Sequence, residues 1–143
     1  MASVLDVAHA LIGRSSEQVR AVLDGGGAEE AADDYQRLED VTSIRSSRFP
    51  GTVYLRDGVA ALVYLGPEAV AGLSPRDLEA SAGSDPVMLA SRAGHEATLV
   101  VHAQQGLAYS AAGDEVQFVE VFAPCTRAEY EAGIYVDPGP FRR

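Results

Sequence analysis

The sequence predicts an α+β domain, an antiparallel sheet of about five or six strands with short helices packed on one face. Three observations predict it. Two N-terminal stretches carry apolar residues at helical spacing between a capping serine and a glycine. From residue 52 onward, short alternating runs rich in Val, Leu, Tyr and Phe take over. Glycine-containing turns separate most of those runs, and short turns join antiparallel neighbours.

The elements follow in order. In "SVLDVAHALI", Val4, Val7, Ala8, Leu11 and Ile12 share a helical face, Ser3 caps the start and Gly13 ends it. "SSEQVRAVLDGGG" is a second helix, with Ser15 and Gln18 as a capping box and Val19, Val22 and Leu23 as the apolar stripe. Gly25, Gly26 and Gly27 follow a helix rather than a strand, and the chain has no lysine, so they read as a linker and not a phosphate loop. Ala31, Tyr35 and Leu38 predict a third short helix, with Glu29, Glu30, Asp33, Asp34, Glu39 and Asp40 on its other face and C-terminal end. "RSSRFPG" reads as loop. "TVYLRD" and "VAALVYL" flank Gly58 as a hairpin, with Val53 and Leu55 on one face and Tyr54 on the other. Ser74 and Pro75 open a helix that Gly83 closes. "VMLAS" is a short strand. "ATLVVHA", "GLAYSAA" and "EVQFVEVFA" form a meander, and Thr126 caps a last helical turn before an extended end at Pro138 and Pro140.

A length of 143 residues fits a single domain with a core of its own. The net charge of −10 argues against nucleic acid and anionic membranes as partners; it either favours a basic protein partner or simply keeps the chain in solution. All eleven basic residues are arginine, which reads as a coding bias of the source. No apolar run is long enough to span a bilayer, "MASVLDVAHALIGR" lacks a basic leader, and the one cysteine, Cys125, has no internal partner. The expectation is a cytoplasmic location.

Two helix openings match at an offset of 59: Gly13 with Gly72, Ser15 with Ser74, Val19 with Leu78 and Ala21 with Ala80. The glycine turns at Gly58 and Gly106 match at an offset of 48. This reads as a tandem helix–sheet pseudo-repeat with halves 1–71 and 72–130 and a tail 131–143. "LIGRSSEQVRAVLDG" resembles the start of the small outer-membrane assembly lipoprotein fold, where a Gly-x-Ser/Thr-x-x-x-Val-x-x-x-Leu helix precedes an antiparallel sheet. Two such units in tandem resemble the β-lactamase inhibitory protein family. The resemblance implies a protein-binding sheet surface without catalysis.

No nucleophile elbow, Walker sequence, dinucleotide fingerprint or His-Glu-x-x-His occurs, so no cofactor is expected. His9, His95 and His102 have no metal-ligand spacing, and Cys125 lies far from them in sequence, so no metal is expected either. Glu120 stands out. It falls inside "VQFVEVF", in phase with Val116, Phe118 and Phe122. Its face is half buried, or Glu120 pairs with an arginine, or it is functional.

Two functions compete. The first is a small acidic protein of the immunity, inhibitor or adaptor type. Its docking residues would be Glu29, Glu30, Asp33 and Asp34 in an acidic patch, and Tyr54, Tyr64, Tyr109, Phe118, Glu120 and Phe122 on an open sheet face. That open face requires the helices to cover Gln117, Val119 and Val121; hydrophobicity equally allows the phenylalanines to be the core. The second is a cone-shaped enzyme or ligand carrier of the nuclear transport factor 2-like group. It would use His102, Glu115 or Glu120 in a cavity.

Overall fold

The computed structural model describes residues 3–23, 29–32, 34–47, 49–82, 85–94 and 96–136. The chain is α+β, and the described residues form one antiparallel sheet of eight strands and four short helices. Helices α1 (Val4–Leu11) and α2 (Ser16–Leu23) lead into strands β1 (Glu29–Ala32), β2 (Thr42–Ser46), β3 (Phe49–Arg56) and β4 (Val59–Leu65). Helix α3 (Pro75–Ala82) leads into β5 (Val87–Ala90), β6 (Thr98–His102), β7 (Leu107–Ala112) and β8 (Glu115–Phe122). Helix α4 (Arg127–Gly133) closes the described chain. No helix among the described residues is long and apolar enough to cross a membrane.

The strand order is β1-β2-β3-β4-β8-β7-β6-β5. Each half is a four-strand meander, and the halves meet where the last strand of each, β4 and β8, pair antiparallel. The two innermost hairpins agree in detail. The β3–β4 turn has Gly58 at φ +77 and the β7–β8 turn has Gly113 at φ +60, a conformation glycine adopts without steric cost. Two residues into β4 and two into β8, an extra residue breaks the register: Leu55 pairs with Ala60 but Tyr54 with Leu62, and Ala111 with Val116 but Ser110 with Phe118. These are β-bulges at Ala61 and Gln117. The structural counterpart of Gly58 is therefore Gly113, whereas Gly106 sits in the β6–β7 connection after a 3₁₀ turn (Ala103–Gln105).

Local capping explains the helices. Ser3 with Asp6, Ser15 with Gln18, Ser74 with Asp77 and Thr126 with Glu129 each exchange reciprocal side-chain-to-backbone hydrogen bonds. Such boxes satisfy backbone N–H groups that a helix start leaves without partners. The α1–α2 turn is stitched to the sheet, because Gly13 and Ser16 donate to the carbonyls of Ala60 and Gly58, and Ala60 donates back to Arg14.

Two expectations fail. Residues 31–38 are not a helix: 29–32 form edge strand β1 on β2, and Tyr35 and Leu38 exchange backbone hydrogen bonds across a tight turn. Pairing with β2 gives this segment tertiary bonds that its alanines and glutamates, good helix formers, do not encode locally. Pairing on both sides also makes 42–46, beyond the end of the predicted helix, into β2, and β3 begins inside the predicted loop at Phe49. With β1 and β2 added, the strand count rises from six to eight.

The helices also lie on both faces. One face packs Ile44, Val53, Leu55, Val63, Leu65, Leu107, Val119 and Val121 against Ala8 and Leu11 of α1, Val19 and Leu23 of α2, and Leu78 and Ala82 of α3. The other packs Tyr54, Leu62, Leu99, Val101, Ala108, Phe118 and Phe122 under Tyr35, Leu38 and Val41 of the β1–β2 connection, and under Tyr130 and Tyr135 in and after α4.

Candidate functional site, a carboxylate buried beneath the second face

The bulge at Gln117 sets the site. Before it, Val116 packs toward α1–α3; after it, Phe118, Glu120 and Phe122 all point to the opposite face. Glu120 lies between Tyr64 of β4 and Ala108 of β7, its directly paired neighbours. It is 0% exposed. A carboxylate so placed is strongly destabilising unless its oxygens are paired.

Three residues from distant parts of the chain supply the partners. The Tyr130 hydroxyl of α4 donates to Oε1, and the Tyr35 hydroxyl of the β1–β2 connection donates to Oε2. Arg92, in the turn after β5, brings Nη1 to 3.6 Å from Oε2 and donates from Nη2 to the Tyr35 hydroxyl at 2.7 Å. Its guanidinium also stacks over Phe118, Tyr35 and Tyr64 at 4.3, 5.0 and 5.8 Å from the ring centroids. Burial, and then the Glu120 carboxylate, push the Tyr35 and Tyr130 hydroxyls well above the usual tyrosine range, so both remain donors. Burial alone would lower the Arg92 guanidinium, but Tyr35 and Glu120 outweigh it and hold the cation more firmly.

A second cluster lies on the other face. His102 of β6 is buried, its Nε2 is 2.7 Å from Oε2 of Glu79 in α3, and the Tyr109 hydroxyl donates to the same oxygen. Since the carboxylate accepts, Nε2 carries the hydrogen of this contact. Nδ1 is buried without a partner among the described residues. Burial and Glu79 raise the Tyr109 hydroxyl.

The predicted open face does not exist. Tyr54, Phe118, Glu120 and Phe122 do share one face, but α4 and the β1–β2 connection cover it and leave each 6% exposed or less. Tyr109 is on the opposite face, against α3, and is buried as well. Tyr64 is half-buried beside Arg92. These aromatics are core, because a sheet face this apolar buries its area wherever chain is available to cover it. Among the acidic residues, Glu29 and Glu30 stand on edge strand β1, and Glu30, Asp34, Glu39 and Asp40 are exposed. Asp33 and His95 lie outside the described residues. Glu30 pairs with Arg20 of α2.

The three groups of the enzyme reading do not converge. His102 faces α3, Glu120 is sealed under the opposite face, and Glu115 is exposed at the start of β8. A cleft of about 490 Å³ runs past His102, Asp85, Gln104, Gln105 and Arg127, and neither glutamate lines it. Cys125 is half-buried beside the second core, and its thiol is raised by burial and by Glu129, the opposite of an activated nucleophile. No group of three or more metal-ligating side chains occurs among the described residues. Sequence reasoning missed Tyr35, Arg92 and Tyr130 as partners of Glu120, and Glu79 as partner of His102. Tyr35 and Arg92 are far from Glu120 in sequence and Tyr130 lies ten residues on; the misplaced charge of Glu120 signalled that it has partners, and nothing in the sequence signalled Glu79.

No known protein family, no curated protein and no solved structure matches the chain.

Proposed function

We propose that this chain is a small acidic cytoplasmic protein of the immunity, inhibitor or adaptor type, which docks a basic protein partner. The observation that carries this reading is the acidic rim at one sheet edge, where Glu30, Asp34, Glu39 and Asp40 are exposed along β1 and the turn that follows. A charge strip on an edge strand deters indiscriminate strand pairing and steers an oppositely charged partner. The net charge of −10 adds a long-range field of the same sign. The tandem helix–sheet arrangement of the β-lactamase inhibitory protein resemblance supports the same class.

The test is affinity capture from the source lysate, with the wild type and a Glu30→Arg, Asp34→Arg, Glu39→Arg triple variant as baits. The wild type is expected to retain a basic protein at low salt that the variant loses, with an association rate that falls as salt rises. An identical set of captured proteins for the two baits sinks the acidic rim as the docking element.

A further inference from the structure

Arg92 belongs to an exposed turn, yet its guanidinium lies among the faces of Tyr35, Tyr64 and Phe118, above the wholly buried Glu120. Aromatic faces around a carboxylate make a receptor for a delocalised cation, since ring quadrupoles and the anion attract the same group.

Three features separate this from a structural ion pair. The receptor stands on other elements than its occupant: Phe118 and Glu120 on β8, Tyr64 on β4, and Tyr35 held by its own hydrogen bond to Glu120. The occupant fits loosely. Its Nη1–Oε2 separation is 3.6 Å, against about 2.7–2.9 Å for a charge-assisted hydrogen bond, and its good hydrogen bond goes to Tyr35 instead. The cage is open on the side from which Arg92 enters, where that side chain is 34% exposed although the carboxylate beneath is fully sealed.

We propose that this cage is a binding site for a guanidinium group, that Arg92 is its built-in occupant, and that an arginine side chain of a protein partner displaces it. The cage itself stands apart from the acidic rim; only the source of the incoming arginine rests on the protein-binding reading. Displacement exchanges one guanidinium for another, so Glu120 never remains buried without a cation. It swings the β5–β6 turn outward and couples occupancy of the cage to the surface beside β5.

The test has three arms. In an Arg92→Ala variant, dilute guanidinium chloride, compared with sodium chloride at equal ionic strength, is expected to raise Tm. It should leave the wild type unchanged and do nothing for Arg92→Ala/Glu120→Gln. In the second arm, N-acetyl-arginine amide is expected to bind Arg92→Ala about tenfold or more tighter than the wild type, whose tethered Arg92 competes. In the third, the same probe in excess moves the Arg92 Nε–H resonance of the wild type to its solvent-exposed position, a readout that does not depend on the variant folding. No guanidinium response in a folded Arg92→Ala protein overturns the cage. An unmoved Arg92 resonance overturns the exchange. Binding of free L-arginine without binding of the amide overturns a protein source. None of these results alters the lysate comparison, so failure of the cage and failure of the acidic rim are separable.

Discussion

Glu120 draws its partners from three separate segments, and both tyrosines among them report on pH. Tyr35 and Tyr130 have hydroxyls raised by burial and by Glu120, so the folded chain holds those protons above the pH near 10.0 at which an unfolded chain releases them. A group raised on folding contributes stability that is intact below its unfolded value and lost as pH climbs from there toward the folded value. Tm is therefore expected to be insensitive to these groups up to about pH 10 and to fall above it. Tyrosinate absorbance of the buried rings should appear together with unfolding. Tyr130→Phe removes one of the two groups, so its alkaline decline is shallower. At neutral pH the variant loses about 1–3 kcal/mol, because a buried oxygen of Glu120 loses its donor. Smooth ionisation of all six tyrosines in a still-folded chain would contradict this account. The sequence made Glu120 conspicuous, since a charge among Val119, Val121 and Phe122 demands a partner, and an arginine was one of the answers. It could not say which arginine, because the pairing depends on a bulge that flips the phase of β8 and on a turn that folds over from β5.

At the scale of elements, what is encoded locally was legible and what is decided by pairing was not. All four helix starts are written in residues three apart, and each capping pair forms. Strands β1 and β2 have no such local signature. "AEEAADDY" favours a helix by composition, and only antiparallel pairing at the sheet edge makes 29–32 a strand, with Tyr35 and Leu38 closing a tight turn beyond it. Gly106 shows the same division. It was readable as a turn glycine, yet the structure gives it a stricter role: at φ +67, a Cβ there would lie 2.1 Å from the Phe122 carbonyl oxygen. Backbone, not a yielding side chain, blocks that space, and the Phe122 N–H donates to the Gly106 carbonyl across the same contact. Gly106→Ala is therefore expected to destabilise by about 2–4 kcal/mol, more than the αL penalty alone. Gly113→Ala, with the same sign of φ but nothing within 4 Å of a Cβ, should lose only the smaller conformational share. Paired urea melts check the ranking, and equal losses at the two glycines would remove the close approach as the cause.

Across the whole molecule, the two meanders share one sheet, but the cover on its two faces differs in kind. Helices α1–α3 shield one face with regular apolar stripes. The other is shielded by a short irregular connection and by α4, which are locked together: Arg37 donates from Nε to the Tyr135 carbonyl at 2.6 Å and from its backbone N–H to the Ile134 carbonyl at 3.2 Å. The Tyr135 hydroxyl then fastens this cover to the Ala90 carbonyl at 2.8 Å, at the far sheet edge. The sequence showed an apolar, aromatic face and left its exposure open, because a single seven-residue helix near the C-terminus gives no sign of which face it serves. The lock makes that helix a condition for the closed face. A chain ending after Thr126 loses Tyr130, which is 0% exposed, and with it the cover on Phe122 and a donor to Glu120. Its stability is expected to drop by more than about 3 kcal/mol, the scale of deleting one large buried aromatic. The uncovered face should bind a hydrophobic reporter dye that the full chain does not. In the same truncated chain, Tyr35 loses the Arg37 anchorage that holds its turn against α4, so the amides of residues 35–38 should exchange faster while those of α1–α3 keep their order of protection. A truncated chain with an unchanged Tm and no dye binding would mean that the β1–β2 connection covers the face alone, and that the α4 contacts follow the closed face rather than maintain it.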